Sequence, residues 1–322
     1  MAYSKKLKGA IVAPKDIMIK NRVDNNRRLL YCEIRDRFGF DVLETDEITK
    51  SDIAKYDAVM IDPRKYFHKK TYTKTIDVLN SKAKIILYVL DPELPTKSNN
   101  EYCFLQYLEG RELFYENAHI ILGDSFEFIS HLYADKWHDW NKKYIWWPKC
   151  IADIQAYFPL KYNAKPVMRC YLSGKLKDEY PIRAYAAKLS LDCVDTVLHP
   201  GYKKLENYNN TGLEYAKKLN EYYCCLCGAK IYGNVLEKHM IIPAAWSLLI
   251  ADSFKDLSKA GFIPGYHYVE VNNENLQETI EHAISHPKNY ENIRKNGRSF
   301  VMENHTIKNR METFGKVLDE YF

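Results

Sequence analysis

Apolar runs and amphipathic segments alternate along most of this chain. Residues 84–90, Lys-Ile-Ile-Leu-Tyr-Val-Leu, form an apolar run typical of a parallel strand buried on both faces. Residues 25–38 carry apolar side chains at helical spacing, which predicts an amphipathic helix. Further strands are predicted at residues 8–13, 40–43, 56–61 and 119–122, and further helices at residues 71–79, 101–114 and 125–133. Such alternation predicts a doubly wound α/β sheet.

The same alternation restarts after residue 166. A strand is predicted at residues 167–172, and a helix at residues 181–191 with Pro181 in its first turn, where proline is favoured. Further helices are predicted at residues 211–223, 276–285, 290–302 and 307–322. The second half therefore predicts another doubly wound sheet.

Residues 137–166 interrupt the pattern. This stretch holds four of the five tryptophans, together with prolines that break regular structure, and we interpret it as an inter-domain segment. Its tryptophans either fill the contact between two domains or stack on an acceptor ring. The predicted domains are residues 1–160, residues 161–305 and a C-terminal helix at residues 306–322.

Composition is that of a globular protein. The 322 residues are 46% hydrophobic and 28% charged, with a net charge of +5 and a pI near 8.5. This charge permits an anionic ligand without requiring one. No window approaches 18 consecutive apolar residues, so we expect no membrane span and a cytoplasmic location. The Tyr-, Lys- and Asn-rich composition suits an AT-rich genome such as that of a virus or phage.

The eight cysteines are scattered through the chain, which favours reduced thiols over a disulfide framework. Cys224, Cys225 and Cys227 lie in an apolar run, and no second ligand pair stands at zinc-finger spacing. We therefore interpret them as core residues and predict no metal site.

Residues 224–273 are the most informative stretch. They predict a strand, a helix at about residues 234–246, a strand, a short helix and a further strand. Segments of this kind place a ligand at the carboxyl ends of parallel strands. The pattern itself fits any α/β nucleotide-binding half-domain.

The finer pattern of this stretch resembles the CgeB-like branch of the GT-B glycosyltransferases. The matching residues are Lys238, Ile242-Pro243-Ala244, Leu248-Leu249, Gly261-Phe262 and His267-Tyr268-Val269. The resemblance implies the GT-B fold, in which two Rossmann-like domains face a cleft and a C-terminal helix crosses back. It also implies an acceptor-binding first domain and a second domain that binds a nucleotide sugar. The tail pattern Asn296-Gly297, His305 and Arg310 matches too, and is better explained by packing than by chemistry.

A second motif spans residues 170–183. A strand ends at Ser173-Gly174, and Tyr180-Pro181-x-Arg183 opens a helix. Gly174 lets a phosphate approach the backbone, and Lys175 and Arg183 can neutralise it. The motif resembles the same branch, and the resemblance implies that donor binding needs no divalent metal.

The predicted donor-binding residues are Ser173, Gly174, Lys175, Arg183, His199, Tyr232, Lys238, Ala244 and Ser247. Two positions depart from the family. Ile241 stands where GT-B enzymes commonly have a glutamate that binds the ribose hydroxyls, and Trp246 stands where the pattern has glycine. Glu237 substitutes for the missing glutamate only if the helix has a different register.

Asp91 follows the buried strand at residues 84–90, in the cleft-facing position of a doubly wound sheet. A carboxylate there can serve as the base of an inverting transfer, or can simply cap the following turn. Asp62 ends another strand and is the second candidate. The pattern from Lys82 to Pro95 resembles the strand of phage DNA β-glucosyltransferases that ends in their catalytic aspartate.

Together these features predict a glycosyltransferase that uses a UDP- or GDP-sugar, with no permanently bound cofactor. Two acceptor classes stay open: a glycan, or a hydroxymethylated base in viral or phage DNA. DNA would require basic residues at the cleft rim, for which the candidates are Lys65, Lys69, Lys70, Lys203 and Lys204. The alternative is an inactive nucleotide-sugar-binding module.

Overall fold

The computed structural model describes residues 7–13, 25–44, 50–61, 79, 81–89, 112–198 and 212–322. The chain divides into two compact units. One unit comprises Met1–Trp147 together with Met311–Phe322, and the other comprises Pro148–Arg310.

Six parallel strands form the sheet of the first unit. They are β1 (Gly9–Ala13), β2 (Asp41–Glu44), β3 (Ala58–Ile61), β4 (Lys84–Val89), β5 (Ile120–Gly123) and β6 (Tyr144–Trp146). The order across the sheet is β2-β1-β3-β4-β5-β6. The described helices are α1 (Asn25–Phe38), α2 (Lys50–Ile53), α3 (Phe126–Leu132) and α4 (Trp137–Trp140), and residues 112–117 are also helical.

The central strands of this sheet are buried on both faces, as a parallel sheet covered by helices requires. The predicted helix at residues 25–38 and the five predicted strands of this half are confirmed to within two residues at each end. The predicted helix at residues 71–79 and most of that at residues 101–114 lie outside the described residues.

The boundary between the two units falls inside the tryptophan-rich stretch, so its part up to Trp147 belongs to the first unit and the remainder to the second. Strand β6 pairs with β5, so the stretch supplies the sixth strand of the sheet. Trp140 is buried and stacks on Tyr115 with ring centroids 4.9 Å apart. Trp137 packs against Phe126 and Tyr144. The sequence-based interpretation of these two tryptophans as inter-domain filling is wrong, because their large rings complete the core of one unit.

The second unit contains a five-stranded parallel sheet. Its strands are β7 (Val167–Gly174), β8 (Val194–Leu198), β9 (Tyr222–Cys227), β10 (Leu248–Ala251) and β11 (Val269–Glu270), in the order β11-β10-β9-β7-β8. The helices are α5 (Ile154–Tyr157), α6 (Pro181–Leu189), α7 (Gly212–Glu221), α8 (Glu237–Ala244), α9 (Lys255–Lys259), α10 (Leu276–Ser285), α11 (Glu291–Asn304) and α12 (Ile307–Tyr321), with a 3-10 turn at Pro287–Tyr290.

Helix α12 carries residues of both units, which divide after Arg310. In its later part, Phe314 is fully buried and packs edge-on against Phe38 and Phe40 of the first unit. The sequence-based division placed the domain boundaries after residues 160 and 305, whereas the units of the structure divide after Trp147 and Arg310.

Strand β9 is the centre of the second sheet, and every residue in it is buried. Cys224, Cys225 and Cys227 are free, and burial raises the pKa of each thiol. The interpretation of this cysteine run as a buried strand is confirmed.

The tail residues hold the second unit together. The His305 ring lies 2.9 Å from the Ala260 carbonyl and 2.9 Å from the Arg310 guanidinium. A side chain on Gly297 would meet the His267 carbonyl at 2.6 Å, so glycine is needed for this close helix approach. These contacts agree with the packing role expected for the tail pattern.

Two parallel sheets with covering helices confirm the predicted α/β class. Within the described parts of the chain, no helix is both long enough and apolar enough to span a membrane.

Candidate functional site

The connections in the second sheet mark a ligand-binding position. The chain leaves β7 to form β8 at one edge, and then returns to form β9 on the other side of β7. In open parallel sheets, ligands bind at the carboxyl ends of the strands that flank such a reversal. Here those ends are Gly174 on β7 and, directly after β9, Gly228.

Gly174 is the point at which two cationic side chains meet. Its φ is +107°, a conformation that favours glycine. A Cβ atom at this position would lie 3.0 Å from Nη1 of Arg183 and 3.0 Å from Nζ of Lys238. Both nitrogen atoms therefore border the open side of Gly174.

Arg183 reaches this point from the first turn of α6. Pro181 occupies the start of that helix, and the Arg183 guanidinium lies over the Tyr180 ring, 3.6 Å from its centroid. The side chain is 3% exposed, and its Nε and Nη2 atoms have no hydrogen-bond partner among the described residues. A Cβ atom on Gly228 would lie 2.0 Å from Ile182, so glycine allows α6 to pack this closely on β9.

Lys238 reaches the same point from the first turn of α8. Its ammonium donates to the Ser173 hydroxyl at 2.8 Å and to the Ser173 carbonyl. The Ser173 hydroxyl is in turn 2.9 Å from that of Tyr215 on α7. Burial, with a smaller contribution from the nearby Arg183 charge, lowers the pKa of Lys238 to about 8.

In the part of the chain that the structure describes, neither Arg183 nor Lys238 forms an ion pair. Holding like charges together with little water is unfavourable unless an anion binds there. The arrangement suits a phosphate group, which accepts several charge-assisted hydrogen bonds.

Other predicted donor-binding residues lie in different surroundings. The Lys175 ammonium lies 3.6 Å from the Glu179 carboxylate. Tyr232 is half-buried in the loop before α8. Ala244 is fully buried, and its carbonyl accepts from Arg298. Ser247 is also fully buried, and its hydroxyl donates to the Tyr222 carbonyl at 3.0 Å. The described contacts of Ala244 and Ser247 are thus with other protein groups.

The remaining predicted site residues, Asp91, Asp62 and His199, and the five candidate DNA-contacting lysines lie outside the described residues. Among the described residues, no group of three or more His, Cys, Asp or Glu side chains is arranged to hold a metal ion.

The structure shows what surrounds Ile241 and Trp246, the two positions that depart from the expected pattern. Ile241 is 4% exposed on α8, so this position places an apolar side chain in the core. Trp246 has a φ of +63°, a left-handed conformation that favours glycine. Its indole nitrogen donates to the Leu160 carbonyl at 2.9 Å, and the Arg298 guanidinium lies 4.6 Å from its ring. Glu237 is the first residue of α8.

Sequence reasoning missed three residues at this end of the sheet. Tyr215 contacts Ser173 from α7, Lys230 lies 6.0 Å from the Tyr180 ring, and Asp252 follows β10. Asp252 had a sequence signal, because it directly follows a predicted strand. Tyr215 had none, since its helix is far along the chain from Ser173.

Comparison with known proteins agrees with this architecture. Residues 220–322 match the model of Glycosyl transferase family 90. No curated protein matches the chain.

Solved structures match the chain over nearly its whole length. Anabaena HepE in complex with UDP and glucose has a TM-score of 0.65 at 10% identity, covering 98% of this chain and 100% of that chain. Sucrose-phosphate synthase from Thermosynechococcus elongatus has a TM-score of 0.66 at 13% identity, covering 98% and 99%. A glycosyltransferase from Rickettsia africae has a TM-score of 0.56 at 11% identity, covering 98% and 99%.

At these identities the likeness concerns the fold. The finer resemblances to the CgeB-like branch and to phage DNA β-glucosyltransferases stay predictions. The chain has the GT-B fold of these glycosyltransferases.

Proposed function

We propose that this chain is a glycosyltransferase that takes its sugar from a nucleotide-sugar donor, a UDP- or GDP-sugar. The observation that carries the proposal is the convergence of Arg183 and Lys238 on Gly174, where no carboxylate of the described parts of the chain pairs with either cation. The GT-B fold and the family 90 match of residues 220–322 support the same activity. HepE, one of the matching proteins, was solved with UDP and glucose.

In the proposed reaction the donor diphosphate lies at Gly174. The bond between the anomeric carbon and the phosphate oxygen breaks, and its electron pair leaves with the diphosphate. Arg183 and Lys238 then stabilise the charge that develops on the leaving group. An acceptor hydroxyl forms the new bond to the anomeric carbon, and for an inverting transfer the proton goes to Asp91.

Donor binding is proposed to need no divalent metal, because Arg183 and Lys238 already supply positive charge at the phosphates. The test is to measure the Kd for UDP by calorimetry in EDTA and in Mg²⁺. Equal values support the proposal, and loss of binding in EDTA contradicts it.

For the acceptor we retain a glycan and a hydroxymethylated DNA base. Salt dependence separates the two, since DNA contacts through lysines weaken steeply as salt rises. If the protein is retained on DNA and this retention falls between 50 and 200 mM salt, the hydroxymethylated base is favoured. If the protein is not retained on DNA, the glycan is favoured.

The second candidate is a module that binds the nucleotide sugar without turning it over. The buried Ile241 favours it, because that position offers no acceptor for ribose hydroxyls.

Donor hydrolysis decides between the candidates. The protein is incubated with UDP-, GDP- and CDP-sugars, and release of the nucleoside diphosphate is measured. We expect hydrolysis of one donor and at least a tenfold loss in Arg183→Ala and in Lys238→Ala, because each removes a charge-assisted contact.

Two exposed cations serve as controls. Arg35 pairs with its neighbour Asp36, and Lys188 is 75% exposed on the same helix as Arg183. Arg35→Ala and Lys188→Ala should leave hydrolysis unchanged. Thermal stabilisation by UDP or GDP without hydrolysis of any donor would support the module, and the absence of both effects would refute both candidates.

A further inference from the structure

A carboxylate shares the sheet edge with the two cations. Asp252 directly follows β10, the strand that pairs with β9. Ala251 pairs with Cys227, and Leu172 pairs with Leu226. Continuing both registers places Gly174, Gly228 and Asp252 side by side at the ends of three adjacent strands. At the usual strand spacing, Asp252 is about 10 Å from Gly174.

The Asp252 side chain is partly engaged by the backbone. Its Oδ1 accepts from the Ala229 amide at 2.9 Å, which fixes the carboxylate beside the loop that follows β9. It is partly buried, and burial raises its pKa while the backbone bonds and the Arg183 charge lower it. No Lys, Arg or His among the described residues forms an ion pair with it.

A partly buried carboxylate near an anion site is unfavourable unless the ligand offers it hydrogen-bond donors. Phosphates cannot do so, since they present acceptor oxygens. Hydroxyl groups can, and a carboxylate accepts from two neighbouring hydroxyls at once. The pairing of cations at one strand end with a carboxylate two strands away therefore suits a ligand that carries phosphate and a diol.

We propose that Asp252 is a specificity-determining residue that binds a vicinal diol of the donor, about two strand spacings from the phosphates held at Gly174. This inference rests on the proposed function. The diol is either that of the ribose or that of the transferred sugar. In the first case Asp252 fills the role that the buried Ile241 leaves open on α8.

The test compares ligands that differ only in hydroxyl groups. Dissociation constants are measured by calorimetry for UDP, 2′-deoxy-UDP, UDP-glucose and UDP-2-deoxyglucose, with GDP compounds used instead if the protein prefers guanine. The variants are wild type, Asp252→Asn and Asp178→Asn. Asp178 is 96% exposed and serves as the matched control.

A ribose contact predicts that Asp252→Asn weakens UDP about tenfold, since hydrogen bonds to a charged group are lost, and weakens 2′-deoxy-UDP, which keeps only the 3′-hydroxyl, by much less. A contact with the transferred sugar predicts unchanged UDP binding. In this case wild type binds UDP-glucose more tightly than UDP, and this gain in affinity disappears in Asp252→Asn. The gain also disappears when wild type binds UDP-2-deoxyglucose instead of UDP-glucose. Either result supports the proposal.

Equal loss for all ligands would show that Asp252 only holds the loop after β9, and would overturn the inference. So would unchanged or tighter binding of every ligand. Thermal unfolding of Asp252→Asn checks that the variant is folded, and Asp252→Glu tests whether the carboxylate itself restores selectivity. If wild type binds no nucleoside diphosphate, the proposed function fails instead. If Lys238→Ala weakens UDP binding but Asp252→Asn has no selective effect, only the inference about Asp252 is rejected.

Discussion

The hydroxyl groups of Tyr215 and Ser173 lie 2.9 Å apart in the interior of the second unit. Ser173 also accepts from Lys238 at 2.8 Å, so the hydroxyl of Tyr215 is connected to the ammonium through one intervening group. The Lys238 ammonium also lies 5.8 Å from the Tyr215 ring centroid. Tyr215 thereby positions the cation without needing to touch the ligand.

Removing the Tyr215 hydroxyl should weaken diphosphate binding by acting through Ser173. We expect Tyr215→Phe to raise the Kd for UDP about fivefold, which corresponds to the free energy of one hydrogen bond, and to leave uridine binding unchanged. The Tyr215→Phe Ser173→Ala double variant should bind UDP no worse than Ser173→Ala, because both changes interrupt one chain of contacts. Additive losses measured by calorimetry would show that Tyr215 acts independently of Ser173.

Affinity for a diphosphate should fall as the pH rises through about 8. Lys238 has a free-protein pKa lowered to about 8, and a bound anion raises that pKa, so binding takes up a proton. Below this pH the ammonium is already charged. Above it the amine must first take up a proton, which costs free energy and weakens binding. From pH 7 to pH 9 we expect about a fivefold loss of UDP affinity.

The groups that act on Lys238 set this pKa. Burial lowers the pKa of Lys238 most, and the Arg183 charge lowers it further. Cys227, Cys225 and Glu237 raise the pKa by smaller amounts. Lys238→Met should bind UDP weakly at every pH and show no step near pH 8. Calorimetry in buffers of different ionisation enthalpy measures the proton uptake directly, and an unchanged pH profile in Lys238→Met would assign the step to another group.

A methyl group at Gly174 should block the site. In Gly174→Ala the added carbon would lie 3.0 Å from both Arg183 Nη1 and Lys238 Nζ, at a φ of +107°. We expect unfolding free energy to fall by about 1–3 kcal/mol and UDP affinity to fall more than tenfold. Urea unfolding and calorimetry measure the two effects.

Gly265→Ala is the matched control. Gly265 also has a positive φ, +73°, but no atom of a non-neighbouring described residue lies within 4 Å of the Cβ position. It should therefore lose stability for the same backbone reason while binding UDP normally. Similar affinity losses in both variants would mean that backbone strain alone disturbs the site.

Replacing Trp246 by glycine should destabilise the protein even though its φ favours glycine. Relief of the left-handed backbone contributes about 1 kcal/mol, which is less than the packing of a half-buried tryptophan. We expect a net loss of about 2 kcal/mol in urea unfolding. Trp246→Phe keeps a ring but loses the hydrogen bond to Leu160, and should lose about 1 kcal/mol. A more stable Trp246→Gly would show that the strain outweighs the packing.

Hydrophobic periodicity was sufficient to predict two parallel sheets and most of their strands and longer helices. Strand β4 and helices α1 and α10 follow directly from apolar spacing, because a buried strand and a one-sided helix each leave a local pattern. Periodicity does not show which unit a segment joins. The three residues of β6 are too few to show a pattern, so this strand was not predicted.

Part of the site could also be predicted from sequence. Ser173, Gly174, Arg183 and Lys238 were identified as donor-binding candidates from two local motifs, and the structure places all four together. The motifs sufficed because each lies at a strand end or in a first helical turn, where the local chain direction aims the side chain.

By itself, the sequence determined the α/β class, most strand ends and the three residues that meet at Gly174. Only the tertiary structure decided that no carboxylate among the described residues pairs with Arg183 or Lys238, that Tyr215 reaches Lys238 through Ser173, and that Asp252 lies at the same sheet edge. The physical reason is that local patterns encode burial and backbone direction, whereas charge balance depends on groups brought together from strands and helices far apart in the chain.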